Sequence, residues 1–152
     1  MEYKSYSYFA IKGDFLVNDI TKLLGVEPTR KWEKGDTRKC GVGKLEFALW
    51  GIETYKKDHD LTYNMEQQCE CIISKLRDKV SILQEFKKKT DSYYVLELVP
   101  EITKHTKPII KFSPEVLKFC ADVEAEIDID YYYYTLPCFE RLGYMVKKII
   151  NK

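Results

Sequence analysis

Apolar and β-branched residues cluster at four places along the chain, and each cluster predicts a strand. Residues 3–12 and 92–99 are rich in aromatic and aliphatic types, and the second run ends at Pro100, which cannot continue a ladder. Residues 44–55 and 125–134 also read as strands, because alternate positions along each run differ in character. We therefore expect a sheet with strands from both halves of the chain.

Apolar residues spaced three and four positions apart predict the helices. Residues 17–24 carry such a stripe, and Gly25 follows where a left-handed residue commonly ends a helix. The longest stripe covers residues 61–89 and fits one helix or two, with Arg77–Lys79 as the point of division. Ser113, followed by proline, is a strong N-cap for a later helix.

Two segments of similar sequence suggest that a strand-helix-strand unit occurs twice. Residues 15–27 and 112–124 share a short pattern of apolar and charged positions, and each lies between two predicted strands. This order predicts an α+β, ferredoxin-like fold: a mainly antiparallel sheet from duplicated β-α-β units, helices on one face and a long central helical crossover. We expect a single domain over residues 1–152, with a core at 1–134 and a C-terminal helix in 135–152.

The loop after the first helix is the segment around which we expect the rest to be organised. Residues 25–36 read GVEPTRKWEKGD, in which glycine ends a helix, Pro28 enforces an extended path and Gly35 permits a turn. Such dense punctuation is typical of a loop with a fixed conformation. We expect the loop to continue as far as Gly43.

Net charge and hydropathy exclude several classes of partner. The chain has 25 Lys and Arg against 24 Asp and Glu, so the whole molecule is not steered toward nucleic acid or an anionic membrane. No stretch approaches the roughly 20 apolar residues of a membrane helix, and residues 1–6 lack the apolar block of a signal peptide. We expect a cytoplasmic protein that neither enters a membrane nor binds nucleic acid.

The cysteines and histidines form no recognisable catalytic or metal-binding motif. The five cysteines are odd in number and never spaced C-x-x-C, so we expect most of them to be reduced and buried. Cys69 and Cys71 are two positions apart on a predicted helix and point to different faces. His59 and His105 fall in polar connections. We predict no catalytic residue, no metal site and no cofactor, and we favour a protein that is not an enzyme.

Several residue types stand at fixed offsets: Gly25, Pro28, Thr29, Trp32, Gly35 and Asp36 in the loop, Trp50 on a strand, and Asp128 to Tyr131 near the end. This combination resembles the bacterial family called domain of unknown function 4279, over roughly residues 5–134. The resemblance implies a small stand-alone cytoplasmic α+β domain, immunity-like in some members. It carries no catalytic residue over to this chain, and the C-terminal helix lies outside it.

The loop is also the first candidate binding site. Between positions 30 and 44, six basic residues face two acidic ones, so a local cluster of positive charge exists despite the neutral whole. Arginine offers a planar fork to an anion, tryptophan a stacking face and glycine a close approach of the backbone. The candidate ligand- or partner-binding residues are Arg30, Trp32, Lys34, Gly35, Asp36 and Arg38. We favour the alternative that Trp32 covers the core while the charges are solvated.

An acidic row on the predicted last strand allows three interpretations. Glu126, Asp128 and Asp130 share one face, where carboxylates can hold Mg²⁺ or Ca²⁺ or can guard a sheet edge. A metal-dependent hydrolase built on this row ranks last among the functions considered. Our preferred interpretation is that Asp128 or Asp130 pairs with Arg30 or Lys34 and fixes the loop to the sheet.

The surplus of tyrosine favours a protein interface. The chain has 12 tyrosines, with runs at 93–94 and 131–134 that place aromatic rings on both faces of their strands. The alternative is that these rings pack beneath helices. We predict a non-enzymatic protein-interaction module, immunity-like in one version, whose partner is another protein. The second hypothesis is a small-anion or nucleotide binding protein that uses the loop Arg30–Asp36. The sequence leaves the oligomeric state open.

Overall fold

A computed structural model describes residues 5–38, 42–54, 64–102 and 108–133, which form a mixed α+β structure with four α-helices. The elements in chain order are β1 (Tyr6–Gly13), α1 (Val17–Leu24), β2 (Arg30–Trp32), β3 (Ala48–Glu53), α2 (Met65–Ser74), α3 (Val80–Thr90), β4 (Tyr93–Val99), β5 (Glu101–Ile102), α4 (Pro114–Asp122), β6 (Glu126–Ile129) and β7 (Tyr132–Tyr133). The predicted α+β class is confirmed.

Five of the strands form one mostly antiparallel sheet in the order β2-β3-β1-β4-β6. β1 pairs antiparallel with β3 and β4, β2 pairs antiparallel with β3, and β6 is parallel to β4. β5 and β7 form a separate two-stranded parallel sheet. β1 therefore lies at the centre, which suits its fully buried residues Phe9, Ala10 and Ile11. β2 and β6 are the two edges.

The two faces of the sheet differ in what covers them. One face, which includes Phe9, Trp50 and Leu96, packs against buried residues from all four helices and forms the main core. The opposite face, called the open face below because no described helix contributes to it, carries a smaller cluster whose core members are themselves buried. Its members are Tyr8, Ala10, Leu49, Val95 and Val99, with Tyr6 and Trp32 packed against them.

Local sequence signals set the helix ends. α1 has the predicted bounds, and Gly25 ends it in the left-handed conformation (φ 63°), with its N–H donating to Thr21 O at 2.9 Å. The long apolar stripe forms two helices, since α2 and α3 are separated by a 3₁₀ turn at Arg77–Lys79, the predicted point of division. α4 begins where Ser113 accepts a hydrogen bond from the Val116 N–H.

The segment predicted as a loop over residues 25–43 contains a strand, so that prediction is wrong in its middle part. β2 pairs with β3. The segment that follows β2 and the segment that precedes β3 also pair, through Thr37 and Lys44. The following strand occupies only part of the predicted range 44–55. A strand of three residues is too short to show the alternation of apolar and polar positions from which strands are predicted. The charged residues around Trp32 also resemble a loop more than a strand.

The two strand-helix-strand units have different arrangements. β1 and β2 run in the same direction with β3 between them, whereas β4 and β6, joined through α4, are direct neighbours. The two similar sequence segments correspond to α1 and α4. Because the strands around them are spaced differently, the duplication of one unit stays a prediction.

The predicted last strand, 125–134, is interrupted. β6 ends before Asp130, whose N–H donates to Leu98 O at 2.9 Å, and Tyr132 then pairs with β5 in the smaller sheet. The physical reason is Pro100, which lies between β4 and β5 and has no N–H to donate to a ladder. The strand that pairs with this part of the chain is therefore interrupted at the same position, between β6 and β7. Glu126 and Asp128 share a face as predicted, since both lie on β6 at alternate positions.

Some predicted features fall outside the described residues: the helix at 137–150, His59, His105, Cys40 and Cys138. Of the other cysteines, Cys69 and Cys120 are buried and Cys71 is exposed, all as free thiols. The prediction that Cys69 and Cys71 point to different faces is therefore confirmed.

Two helix ends provide a matched pair of stability predictions. Asp91 ends α3 at φ 48°, and Gly25 ends α1 at φ 63°, where an added Cβ would have nothing within 4 Å. We expect Asp91→Gly to raise the free energy of unfolding by about 1 kcal/mol, because it removes left-handed strain and a negative charge at a helix C-terminus. Gly25→Ala should lower it by about 1 kcal/mol. Urea unfolding measures both, and changes of the same sign would contradict this explanation.

Candidate functional site

The loop residues singled out from the sequence lie around β2, at one edge of the sheet. Arg30 pairs with Gly51 and Trp32 with Leu49, and these pairs place both side chains on the open face. Lys31, between them, lies on the opposite side of the strand. The edge strand thus presents different side chains to its two sides.

Trp32 is held against the open face and covers part of it. Its indole Nε1–H donates to Phe47 O at 3.1 Å, and the two rings are tilted with their centroids 6.2 Å apart. Trp32 is half-buried, whereas Phe47 keeps 37% of its surface exposed. One ring of the pair therefore protects the sheet, and the other remains accessible to a ligand or partner.

Arg30 is engaged by two neighbours on the open face. Its guanidinium lies 3.2 Å from the Glu53 carboxylate and 4.2 Å from the centroid of the Tyr8 ring. Burial raises the pKa of Tyr8, and its hydrogen bond with Glu97 raises that pKa further. Both the charge and the planar face of Arg30 are thus used within the sheet.

The turn after β2 is closed by its own hydrogen bonds. The Asp36 carboxylate accepts from the Glu33 N–H at 2.9 Å, and the Gly35 N–H donates to Leu45 O at 2.8 Å. Gly35 has φ 89°, a conformation that favours glycine. Gly35 was expected to let an anion approach its backbone N–H. That N–H is already hydrogen bonded to Leu45, in the segment that leads into β3.

Two side chains join this turn to the start of α1. Lys34 forms an ion pair with Asp14, and the Glu33 Oε1 accepts from the Val17 N–H at 3.1 Å. A carboxylate in this position satisfies one of the unpaired amides of the first helical turn and lies at the positive end of the helix dipole. These contacts fix the turn to the body of the protein.

The preferred pairing of Asp128 or Asp130 with Arg30 or Lys34 is wrong. β2 and β6 are opposite edges of the sheet with three strands between them, which is roughly 19 Å at normal strand spacing. Arg30 and Lys34 have nearer acidic partners. The error arises because residue spacing does not reveal that β6 adds beside β4.

The acidic residues on β6 face solvent. Glu126 accepts a hydrogen bond from the Tyr93 hydroxyl at 2.7 Å, and this bond, with a smaller effect of burial, raises the pKa of Tyr93 to about 12. Asp128 is exposed. Among the residues that the structure describes, no three His, Cys, Asp or Glu side chains are arranged to hold a metal ion. Exposed carboxylates at this place are typical of a guarded sheet edge.

A cleft of about 830 Å³ opens beside β2, and we call it the β2 cleft. Its volume lies within the range of about 300–1,000 Å³ that is common for ligand sites. The rings of Trp32 and Phe47 are part of its lining, and exposed Lys31, Arg38 and Glu46 surround them. Within the described part of the chain these three charged side chains form no ion pair. Among the described residues, the lining consists of Thr29, Arg30, Lys31, Trp32, Asp36, Thr37, Arg38, Leu45, Glu46 and Phe47.

A second hollow, of about 350 Å³, lies against α1 and is called the helix-side hollow. Val17, Thr21 and Glu33 contribute to it. Lys31 and Trp32 line both this hollow and the β2 cleft. The outer edge of β2 is therefore open on both sides.

Sequence reasoning placed six residues of the loop at one site. Arg30, Trp32, Asp36 and Arg38 line the β2 cleft, whereas Lys34 and Gly35 do not. Sequence reasoning did not include Leu45, Glu46 and Phe47, which were treated as part of a strand. These three residues lie opposite the loop because the segment that contains them pairs with it. The glycines on either side of residue 42 were the available signal, because a hairpin needs such residues where it reverses.

Replacing Glu33 with alanine should loosen the turn. We expect Glu33→Ala to lower the free energy of unfolding by about 1 kcal/mol, since the Val17 N–H loses its side-chain acceptor. Hydrogen exchange of the Val17 amide should become faster. Glu27→Ala is the control, because Glu27 is an exposed carboxylate in the same hollow and its loss should be nearly neutral. Equal exchange rates in the two variants would contradict the proposed contact.

The fold and the site define a class before any relative is considered: an α+β fold in which helices cover one face of the sheet and a cleft opens at one edge strand. The model of the family described as "Domain of unknown function (DUF4279)" matches residues 1–134 of the chain. The chain therefore belongs to this family, and the resemblance noted from the sequence is confirmed. Comparisons with curated proteins and with solved structures each gave no match. Throughout the described ranges, every helix is too short or too polar to cross a bilayer.

Proposed function

We propose that this protein is a non-enzymatic interaction module that binds another protein through the β2 cleft. The observation that carries the proposal is the exposed aromatic surface of Phe47 beside Trp32, enclosed by charged side chains. Protein interfaces commonly combine a buried aromatic centre with a polar rim, and tryptophan and arginine are frequent hot spots there. Arg38 lies on that rim.

The fixed conformation of the site also supports the proposal. Trp32 is hydrogen bonded to Phe47, and the turn that follows is joined to α1 through Glu33. A surface that is already ordered loses little conformational entropy when a partner binds.

A ferredoxin-like description of the first four sheet strands belongs to this proposal. The order β2-β3-β1-β4, antiparallel at each pairing, supports it, because the split β-α-β arrangement has this order. β6 is then an additional strand beside β4. The β2 cleft would lie at the outer edge of the ferredoxin-like unit.

We also propose a bacterial, cytoplasmic setting and, on the family resemblance, an immunity-like role in which the partner is a toxin. Burial raises the pKa of the Cys69 thiol to about 12 and that of the Cys120 thiol to about 11. Both are therefore neutral, unreactive thiols at physiological pH, and reduced cysteines of this kind are usual in the cytoplasm.

Capture of the partner from the native cytoplasm tests the proposal. The baits are the wild-type chain, the double variant Arg38→Glu and Phe47→Ala, and Leu117→Ala. Leu117 is an exposed apolar residue on α4 and is the matched control, because it lies outside the cleft. We expect the wild type and Leu117→Ala to capture the same protein and the double variant to lose it at least tenfold. Equal capture by all three baits would contradict the proposal, as would no capture by any of them.

Small-anion or nucleotide binding by Arg30–Asp36 is the second candidate, and exposed Lys31 and Arg38 support it. Arg30 and Lys34 already have acidic partners, so an anion would have to displace them. A thermal-shift screen with nucleotides separates the candidates. A ligand at 100 times its dissociation constant adds about 2.7 kcal/mol of stability. We expect no shift, and a clear shift would favour the second candidate.

A further inference from the structure

β2 offers an unpaired backbone edge to a partner. It is the terminal strand of the sheet, paired with β3 on one side and with no other strand among the described residues on the other. In an antiparallel pair alternate backbone groups point away from the neighbour, so an edge strand presents free N–H and C=O groups. Such an edge accepts an additional strand.

There is room for an extended chain along this edge. The β2 cleft and the helix-side hollow meet at Lys31 and Trp32, so open space flanks the strand on both sides. An added strand directs alternate side chains to opposite sides. One set would enter the β2 cleft and the other set would enter the helix-side hollow.

The side chains of β2 define what each position of the added strand should carry. On the cleft side Trp32 and Phe47 provide an aromatic surface, which favours apolar side chains. On the hollow side Lys31 is exposed and unpaired within the described residues, so a carboxylate is favoured at the one position directly opposite it. Glu27, Glu33 and Asp36 also line this hollow, so acidic side chains are disfavoured at its other positions. A lysine at an edge also disfavours strands that lack this carboxylate.

We infer that the partner binds as an extended segment that adds to the outer edge of β2, with apolar side chains on the cleft side and one aspartate or glutamate directly opposite Lys31. This inference rests on the proposed function, since it names the part of the partner that occupies the β2 cleft. The apolar side chains contact Trp32 and Phe47, and the single carboxylate faces Lys31. Backbone hydrogen bonds to β2 supply affinity, and the placement of the apolar and acidic positions supplies specificity.

A displayed library of random ten-residue peptides tests the expected pattern. The baits are the full wild-type chain, Lys31→Glu and the control Leu117→Ala. Wild type and Leu117→Ala should both enrich peptides in which one Asp or Glu is flanked on each side by an apolar residue. Lys31→Glu should enrich Lys or Arg at that acidic position, and it should bind a wild-type-selected peptide about tenfold more weakly, because attraction is replaced by repulsion.

Backbone pairing is tested on a synthetic version of the most enriched peptide. Only alternate N–H groups of an added strand face its neighbour. N-methylation of one alternate set should therefore weaken binding at least tenfold, while methylation of the other set changes it less than about twofold.

Three results would overturn the inference: no enriched peptide, the same sequences from wild type and Lys31→Glu, or equal effects of the two methylation sets. Partner capture distinguishes this failure from failure of the proposed function. If capture depends on Phe47 while the peptide results are negative, the cleft binds a folded surface of its partner. If capture is independent of Phe47 as well, both proposals fail.

Discussion

Replacing Trp50 with alanine should lower the free energy of unfolding by about 3–5 kcal/mol, the largest effect we expect from one substitution. Trp50 is fully buried on β3, and its indole Nε1–H donates to the Thr21 hydroxyl of α1 at 3.1 Å. The substitution opens a cavity between the sheet and α1 and removes that hydrogen bond. Urea unfolding followed by circular dichroism measures the loss.

The second tryptophan is the matched control. Trp32 is half-buried on the open face, so Trp32→Ala should cost less than about 2 kcal/mol. A small domain has only about 5–15 kcal/mol of stability in total, so Trp50→Phe is added as a milder variant that keeps most of the ring volume. Equal losses for the two alanine variants would contradict the assignment of Trp50 to the main core.

The stability of the protein should fall steeply between about pH 9 and pH 12. Burial raises the pKa of Cys69 to about 12 and that of Cys120 to about 11, each from 9.0, and it raises the pKa of Tyr94 from 10.0 to about 12. The folded state holds these protons more tightly than the unfolded state. Their contribution is therefore complete below the unfolded pKa values and is lost as the pH rises through the folded ones.

The expected loss is on the order of 6 kcal/mol by pH 11, since each pKa unit corresponds to about 1.4 kcal/mol per buried group and the two thiols and Tyr94 together account for about five units by that pH. Urea unfolding at a series of pH values measures it. Tyr94→Phe removes a hydroxyl that donates to Leu83 O at 2.8 Å, and it should flatten the curve above pH 10. Tyr93→Phe is the control because Tyr93 is 40% exposed, so solvent screening makes the contribution of its raised pKa smaller than that of buried Tyr94. Unchanged stability up to about pH 11, or identical effects of the two variants, would contradict this account.

The helices could be predicted because the signals that end them are local. Gly25 and the Ser113-Pro114 pair act through the conformations of one or two residues, and both helix ends lie where the sequence places them. β2 and β7 have three and two residues, and they are strands only because a partner strand lies beside them. No local pattern reports such a partner.

Side-chain partners depend on strand order, and for this reason only part of the candidate site could be predicted. Sequence reasoning identified Trp32 and its cationic neighbours but assigned them acidic partners from the far edge of the sheet. Sequence reasoning also overlooked Gln68, because a helix that is identified by its apolar stripe gives no information on polar residues that are buried beside the stripe. Gln68 is only 2% exposed, donates to Ser5 O and accepts from the Thr54 hydroxyl. Which polar side chains a core can accommodate is decided by neighbours distant in sequence.

The most direct test of the β2 cleft as a partner-binding surface is photo-crosslinking inside the native cell. A photoreactive phenylalanine analogue replaces Phe47 in one strain and Leu117 in another, both exposed positions. We predict a specific crosslinked protein from position 47 and none from position 117. Crosslinks of equal yield and composition at both positions, or from position 117 alone, would contradict the account.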